Sequence, residues 1–220
     1  MKKLYGIGTG PGDKELVTIK AVKVMEDADI IFAPNNKGTN MALDIVKEYI
    51  ANKKVILLNL PMGQVTKEDY IKNAKIMEEN ILEDKYGVFL TLGDPLIYST
   101  FIYLMEEIEE MGVQTEIVPG IPSFIAAAAS SKTPLTLKGE KLLIIDEFKE
   151  NSLKNIDTFC LLKTWKDKEK LLKEIDEEGF TYKYIKRATL EEEKILIDEE
   201  EILKDKDYIS LIIGRRNPRD

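Results

Sequence analysis

Three short connections rich in glycine and proline constrain the fold of this chain more than any other feature of its sequence. Each follows a strand-like apolar segment and precedes a segment with helical spacing of apolar residues, at residues 6–13, 93–95 and 119–124. The carboxyl ends of parallel strands share one edge of a sheet, where ligands bind, so the three connections are predicted to line one crevice. Any one of them alone is equally compatible with an ordinary turn.

The middle connection is the most informative. An apolar run over residues 88–92 ends at Gly-Asp-Pro, residues 93–95, and a helix-spaced pattern begins directly afterwards. Gly93 permits close backbone approach and Pro95 restricts the turn, which predicts that Asp94 points into the crevice. The apolar positions of the following helix are Ile97, Phe101, Leu104, Met105, Ile108 and Met111.

Strand-like and helical segments alternate through the first half, which predicts an α/β protein with a mostly parallel sheet. The second half has shorter, strand-rich segments and one further long helix at 168–178. We therefore predict two closely packed domains, residues 1–115 and 116–220, with the crevice between them. Predicted strands are residues 3–8, 29–33, 55–58, 88–92, 115–118, 141–145, 158–162, 182–186, 194–197 and 208–213.

Composition excludes several classes of function. The net charge of −8 argues against nucleic-acid binding, and the absence of histidine removes Ser-His-Asp catalysis and the common zinc sites. No apolar run approaches the roughly 20 residues of a membrane span, and no signal peptide precedes the first strand, which predicts a cytoplasmic protein. The single cysteine, Cys160, is predicted to be a buried strand residue. Acidic runs at 106–110, 174–178, 191–193 and 198–201 are predicted to be exposed helix faces.

Neither common nucleotide-binding motif is present. A G-x-G-x-x-G pattern fails because Pro11 or Asp13 stands where the last glycine should be, and there is no G-x-x-x-x-G-K-[ST]. Asp13 and Asp94 would also repel phosphates. The loops are better suited to a cationic or uncharged ligand.

The three motifs resemble those of the tetrapyrrole (corrin/porphyrin) methylases, which use S-adenosylmethionine. They read Gly-Ile-Gly-Thr-Gly-Pro-Gly-Asp at 6–13, Gly-Asp-Pro-Leu-Ile-Tyr-Ser-Thr-Phe at 93–101 and Pro-Gly-Ile-Pro-Ser-Phe at 119–124. The resemblance runs through almost the whole chain, with later landmarks at 160–163, 187–189 and 208–211. Within the family, Tyr-Ser-Thr-Phe and Ser-Phe-Ile-Ala-Ala-Ala-Ala look most like the branch that methylates precorrin-2, or cobalt-precorrin-2, at C-20 in cobalamin biosynthesis.

The resemblance implies a two-domain fold with a mixed sheet in the second domain, a homodimer, and S-adenosylmethionine bound between the domains, with S-adenosylhomocysteine as product. It implies no metal site. Asp94, and with less support Asp13, are implied as catalytic residues. Carried over by motif position, the implied cofactor-binding residues are Pro11, Leu92, Gly93, Asp94, Ile97, Thr100, Pro122, Ser123, Leu162, Ala188, Thr189 and Ser210. Leu162 is as readily explained by core packing.

Methyl transfer to an electron-rich macrocycle needs alignment more than proton transfer, which agrees with a chain without histidine. The substrate would carry eight carboxylates, for which the candidate partners are Lys37, Lys132, Lys138, Lys163 and Arg187. Solvated surface is the better interpretation of Lys132 and Lys138. Loop 34–40 and segment 60–65 are predicted to shape the acceptor pocket.

Two other functions are compatible with the same motifs. One is methylation of another acceptor, such as a different corrin position, uroporphyrinogen or a protein side chain. The other is a non-catalytic nucleotide- or tetrapyrrole-binding protein on the same fold. The intact Pro11, Gly93, Asp94 and Gly120 argue against the second.

Overall fold

A computed structural model describes residues 1–35, 38, 40–60, 65–164 and 167–216. The chain divides into two compact units, Met1–Pro122 and Ser123–Asp220. Lys37 and most of the predicted pocket segment at 60–65 lie outside the described residues.

The first unit, unit 1, is a five-stranded sheet in the order β3-β2-β4-β1-β5, and every pair of neighbouring strands is parallel. The prediction of a parallel sheet is confirmed. A 3-10 helix, Lys14–Leu16, was not predicted. The elements are β1 Lys3–Gly8, α1 Ile19–Asp27, β2 Ile30–Asn35, α2 Met41–Val46, β3 Lys54–Asn59, α3 Lys67–Asn80, β4 Tyr86–Thr91, α4 Thr100–Glu110 and β5 Gln114–Val118.

Both faces of this sheet are buried, which explains the almost continuous apolar strands. Successive side chains of β4 point to opposite faces. Phe89 packs into one cluster with residues of α3 and α4, whereas Val88 and Leu90 pack into a second with residues of α1 and α2. The predicted apolar face of α4 is confirmed at Phe101, Leu104 and Ile108, which are fully buried, while Ile97 precedes the helix.

Helix α3 begins with the signal expected for a helix start. Thr66 Oγ1 accepts a hydrogen bond from the Asp69 N–H, and the Asp69 carboxylate accepts one from the Thr66 N–H at 2.9 Å. This reciprocal pair is a capping box, and it satisfies two backbone donors that would otherwise lack partners.

The second unit, unit 2, is built on a mixed sheet in the order β6-β7-β10-β8-β9. Only β6 and β7 are parallel, while the other pairs are antiparallel. Its elements are α5 Ser123–Ser130, β6 Leu142–Ile145, β7 Thr158–Leu162, α6 Lys168–Glu177, β8 Phe180–Lys186, β9 Lys194–Leu196, α7 Glu199–Lys204 and β10 Ser210–Arg216.

Two details differ from the sequence-based expectation. The acidic residues 191–193 lie in the turn between β8 and β9, so the prediction that they occupy a helix face is wrong. That segment is too short between two paired strands to form a helix. The domain boundary expected at 115 and 116 falls inside β5, which is hydrogen-bonded to β1, whereas the two units divide at Pro122 and Ser123.

The structure confirms the burial of Cys160, which is fully enclosed in β7. Desolvation raises the pKa of its thiol to about 12, and thiolate is the reactive form. We therefore expect no reaction of the native protein with a thiol reagent at pH 8 and one thiol per chain in urea. Rapid labelling of the native protein would contradict this burial.

Among the described residues, no helix is both long enough and apolar enough to cross a membrane.

Candidate active site

The three glycine-rich connections meet at the carboxyl edge of the unit 1 sheet. Strands β4, β1 and β5 are adjacent, so the connections that follow them are neighbours. The Thr9 N–H donates to the Thr91 carbonyl at 2.8 Å, and the Gly93 N–H donates to the Gly10 carbonyl at 2.7 Å. The prediction that these connections come together is confirmed within this unit.

Three glycines allow this convergence because their backbones pack against one another. A Cβ on Gly8 would lie 2.5 Å from both the Gly120 nitrogen and the Gly93 oxygen. A Cβ on Gly120 would lie 2.1 Å from the Gly93 oxygen. Gly93 itself has φ of 74°, a conformation that favours glycine. Any larger residue at Gly8 or Gly120 would separate the connections.

Asp94 ties two of the connections together. One carboxylate oxygen accepts a hydrogen bond from the Leu96 N–H at 2.9 Å, and the other accepts one from the Gly120 N–H at 3.0 Å. The half-buried side chain therefore holds the turn of its own connection and the start of the third one. The sequence-based expectation that Asp94 points into the crevice did not include these two hydrogen bonds.

The remaining predicted residues of unit 1 lie along the same connections. Asp13 is the N-cap of the 3-10 helix, where its carboxylate accepts a hydrogen bond from the Glu15 N–H at 2.9 Å. A Cβ on Gly93 would lie 3.7 Å from Cα of Pro122. Pro11 is buried, Leu92 and Ile97 are half-buried, and Thr100 is the first residue of α4.

In unit 2, three of the predicted residues meet at one edge of the sheet. Strand β10 begins at Ser210 and runs antiparallel to both β7 and β8, which end at Leu162 and Lys186. The Lys163 N–H donates to the Ser210 carbonyl at 2.9 Å, and the Arg187 N–H donates to the Ile209 carbonyl at 2.9 Å. Leu162, Ala188 and Ser210 are each buried to more than nine-tenths. We call this sheet end the unit 2 edge.

Backbone conformations at the unit 2 edge are unusual. Lys163, Arg187 and Thr189 have φ of 59°, 51° and 68°, in a region that side chains other than glycine seldom adopt. Such conformations persist only where the surroundings impose them, and they cluster at functional sites. Ser123, the other predicted cofactor residue of this unit, begins α5.

The candidate carboxylate-binding residues differ in their pairing. Lys163 lies 3.6 Å from Asp146, and Arg187 Nε lies 2.6 Å from Asp207, so both are already in ion pairs. Asp207 holds the pKa of the Arg187 guanidinium above its ordinary value. Lys132 and Lys138 are exposed and form no ion pair with any residue that the structure describes.

The charges of the converging connections suit a sulfonium cofactor. The converging connections of unit 1 contain two carboxylates, Asp13 and Asp94, and no basic side chain between residues 91 and 100. Acidic groups favour a nearby positive charge. The described part of the chain contains no group of three or more His, Cys, Asp or Glu side chains arranged to hold a metal ion.

Thr91, at the end of β4, offers a test of the packing beneath these connections. Its Oγ1 is buried and has no hydrogen-bond partner among the described residues. Removing an unpaired buried hydroxyl while keeping the shape is stabilising, so Thr91→Val should raise the free energy of unfolding by about 1 kcal/mol in urea titrations.

Thr158→Val is the matched control for this prediction. Thr158 is also fully buried, but its Oγ1 accepts a hydrogen bond from Arg215 at 3.2 Å. The free energy of unfolding of Thr158→Val should therefore fall by about 1–3 kcal/mol in the same titration. A comparable loss in both variants would mean that the Thr91 hydroxyl is paired.

The sequence matches the family described as tetrapyrrole (corrin/porphyrin) methylases over residues 3–203. The chain belongs to that family, as its motifs predict.

Two curated relatives share the same activity in their names. The chain is 38% identical over 228 residues to the "Probable cobalt-precorrin-2 C(20)-methyltransferase" of Methanocaldococcus jannaschii, covering 100% of this chain and 98% of the relative. It is 34% identical over 149 residues to the cobalt-precorrin-2 C(20)-methyltransferase of Salmonella typhimurium, covering 65% and 62% of the two chains.

Solved structures share the fold. Uroporphyrin-III C-methyltransferase from Thermus thermophilus, in complex with S-adenosylhomocysteine, superposes with a TM-score of 0.71 at 20% sequence identity, covering 97% of each chain. Cobalt-precorrin-4 methyltransferase superposes with a TM-score of 0.69 at 21% identity, covering 97% of this chain and 94% of the other. The predicted fold class is thereby confirmed.

Proposed function

We propose that this protein transfers a methyl group from S-adenosylmethionine to C-20 of cobalt-precorrin-2 or precorrin-2, a step of cobalamin biosynthesis. The convergence of Gly8, Gly93 and Gly120 under the Asp94 carboxylate supports cofactor binding. The similarity over the full chain to the Methanocaldococcus jannaschii relative supports this acceptor rather than another tetrapyrrole.

The cofactor supplies an electrophilic methyl group on a positively charged sulfur, and the electron-rich macrocycle supplies the nucleophile. The enzyme's own residues then have to orient two molecules, for which well-aligned systems gain on the order of 7–11 kcal/mol. We propose that Asp94 keeps the connections in register and favours the positive charge, with Asp13 contributing to the same field. Excluding water from the site would prevent hydrolysis of the methyl donor.

The proposed cofactor contacts are the residues carried over from the motifs. In unit 1, backbone groups around Gly93 and the side chains of Leu92 and Ile97 provide an uncharged surface. In unit 2, the unit 2 edge presents Leu162, Ala188 and Ser210. The remaining proposed contacts are Pro11, Asp94, Thr100, Pro122, Ser123 and Thr189.

Basic side chains are proposed to receive the substrate carboxylates. Lys132 and Lys138 are exposed and without an acidic partner among the described residues, so they can pair with a ligand at no cost to an existing ion pair. Arg187 and Lys163 would have to exchange or share Asp207 and Asp146. The exposure of Lys132 and Lys138 agrees equally with the sequence-based interpretation of both as solvated surface residues.

A homodimer and a cytoplasmic location complete the proposal. Exposed apolar side chains support self-association: Tyr103, which stacks on Tyr70, is 53% exposed, and Leu57 of the edge strand β3 is 46% exposed. Light scattering behind size exclusion would give twice the chain mass of 25.1 kDa for a dimer.

The direct test is mass spectrometry of precorrin-2 and cobalt-precorrin-2, each incubated with the purified protein and labelled S-adenosylmethionine. Gain of one methyl group, located at C-20 by NMR, is the expected result. The preferred substrate shows whether the natural acceptor carries cobalt. A protein that binds the cofactor but methylates neither compound would refute the acceptor and not the methylase assignment.

A further inference from the structure

A buried polar network lies beside the unit 2 edge and has no part in the chemistry proposed above. Asp205 is at its centre. One carboxylate oxygen of Asp205 accepts hydrogen bonds from the Tyr184 hydroxyl at 2.9 Å and from the Asp207 N–H at 2.8 Å. The other accepts one from the Lys186 ammonium. The Asp205 and Lys186 side chains are only 10% and 20% exposed.

Lys168 fixes the main chain that carries Asp205. This lysine is 6% exposed, and its ammonium donates to the Ile202 carbonyl at 2.8 Å and to the Asp205 carbonyl. It also lies 5.0 Å from the centre of the Tyr184 ring. Both carbonyls lie at the end of α7, where no helical N–H remains to pair with them. Lys168 therefore determines where the chain leaves α7 towards β10.

From Asp205 a continuous set of hydrogen bonds leads to the unit 2 edge. The Asp207 carboxylate accepts hydrogen bonds from Arg187 Nε at 2.6 Å and from the Ile209 N–H at 3.0 Å. The Asp207 carbonyl receives the Ser210 hydroxyl at 2.8 Å. The segment 205–209 is thus bonded both to the turn that contains Ala188 and to Ser210, the first residue of β10.

The ionisation of the network agrees with this geometry. Burial opposes the charge on Asp205, yet the hydrogen bonds from Lys186, the Asp207 N–H and Tyr184 hold its pKa below the ordinary value. Burial lowers the pKa of Lys168 and raises that of Tyr184. Buried ionic groups stabilise a fold poorly compared with apolar packing, but they impose specific geometry where their partners are satisfied.

We infer that Asp205, held by Lys168 and Lys186, is a positioning residue that sets the conformation of residues 187–189 and of Ser210 for cofactor binding. The inference rests on the proposed function, because it assumes that the unit 2 edge contacts the cofactor. It assigns Asp205, Lys168 and Lys186 a role that acts through residues 187–189 and Ser210. The expected consequence is a loss of cofactor affinity larger than the loss of stability would produce.

The experiment compares binding of S-adenosylhomocysteine, by calorimetry at a temperature where every variant is folded, with the melting temperature. Asp205→Asn should weaken binding at least tenfold. The matched control is Glu178→Gln, which weakens the 2.6 Å ion pair with Arg216 at the opposite end of β10, roughly 20 Å away. The Glu178 and Arg216 side chains are similarly buried, at 23% and 16% exposure. It should lower the melting temperature comparably and change affinity less than twofold.

A second pair of variants keeps the inference testable if Asp205→Asn does not fold. Lys186→Arg preserves the ion pair and should bind like the wild type, whereas Lys186→Met should weaken binding at least fivefold. Equal affinity in the two Lys186 variants, or a loss in Glu178→Gln equal to that in Asp205→Asn, would overturn the inference. Absence of binding by the wild-type protein would refute the proposed function itself.

Discussion

Gly120→Ala is expected to abolish detectable binding of S-adenosylhomocysteine and to lower the free energy of unfolding by about 3 kcal/mol or more. The added Cβ would lie 2.1 Å from the Gly93 oxygen and 2.7 Å from Cα of Gly8. Both obstacles are main chain, so no side chain can rotate away to relieve the overlap. The three connections must then separate, which also breaks the hydrogen bond from the Gly120 N–H to Asp94.

Gly112→Ala is the control for this substitution. Gly112 follows α4 in the same unit, and an added Cβ would meet nothing within 4 Å. Its φ of 83° still penalises alanine, by about 1–2 kcal/mol. Calorimetry should therefore show normal affinity with a moderate loss of stability. Retention of wild-type affinity in Gly120→Ala would show that the convergence of the connections is unnecessary for binding.

Asp94→Ala is expected to lower methyl-transfer turnover at least tenfold, and at least as much as it lowers cofactor affinity. Two backbone donors, on Leu96 and Gly120, lose their acceptor, so the connections become free to move apart. The loss of two charge-assisted hydrogen bonds should also reduce stability by about 2 kcal/mol. Steady-state rates with saturating cofactor, beside calorimetric affinities, separate the two effects. Wild-type turnover would exclude a role for Asp94.

Two further variants distinguish a local effect from a general loss of stability. Asp94→Asn retains an oxygen for one of the two N–H donors and should give an intermediate rate. Asp69→Ala removes a carboxylate that likewise accepts a backbone N–H, from Thr66 at 2.9 Å, but at the start of α3. Its turnover should equal that of the wild type. A rate in Asp69→Ala as low as in Asp94→Ala would mean that rates follow stability alone.

Much of the fold could be predicted because its signals are local. Apolar periodicity identified the strands of both sheets, and turn residues marked where each strand ended. The burial of Cys160 also followed from its position in a strand-like apolar run. The acidic run misassigned residues 191–193, since charged residues are exposed in turns as well as on helix faces.

The sequence by itself determined the class of this protein, because three ordered motifs resemble those of the tetrapyrrole methylases; the lack of histidine and the acidic composition only excluded other classes. Only the tertiary structure decided why those residues are needed. Gly8 and Gly120 have to be glycine because their backbones are in close contact. Asp94 is needed because its carboxylate accepts a hydrogen bond from the N–H of a residue 26 positions away. The sequence marked Lys168 only as the start of a helix, but its ammonium donates to the carbonyls of residues 34 and 37 positions further along the chain. Such contacts leave no periodic pattern, because they depend on which strand ends the sheets bring together.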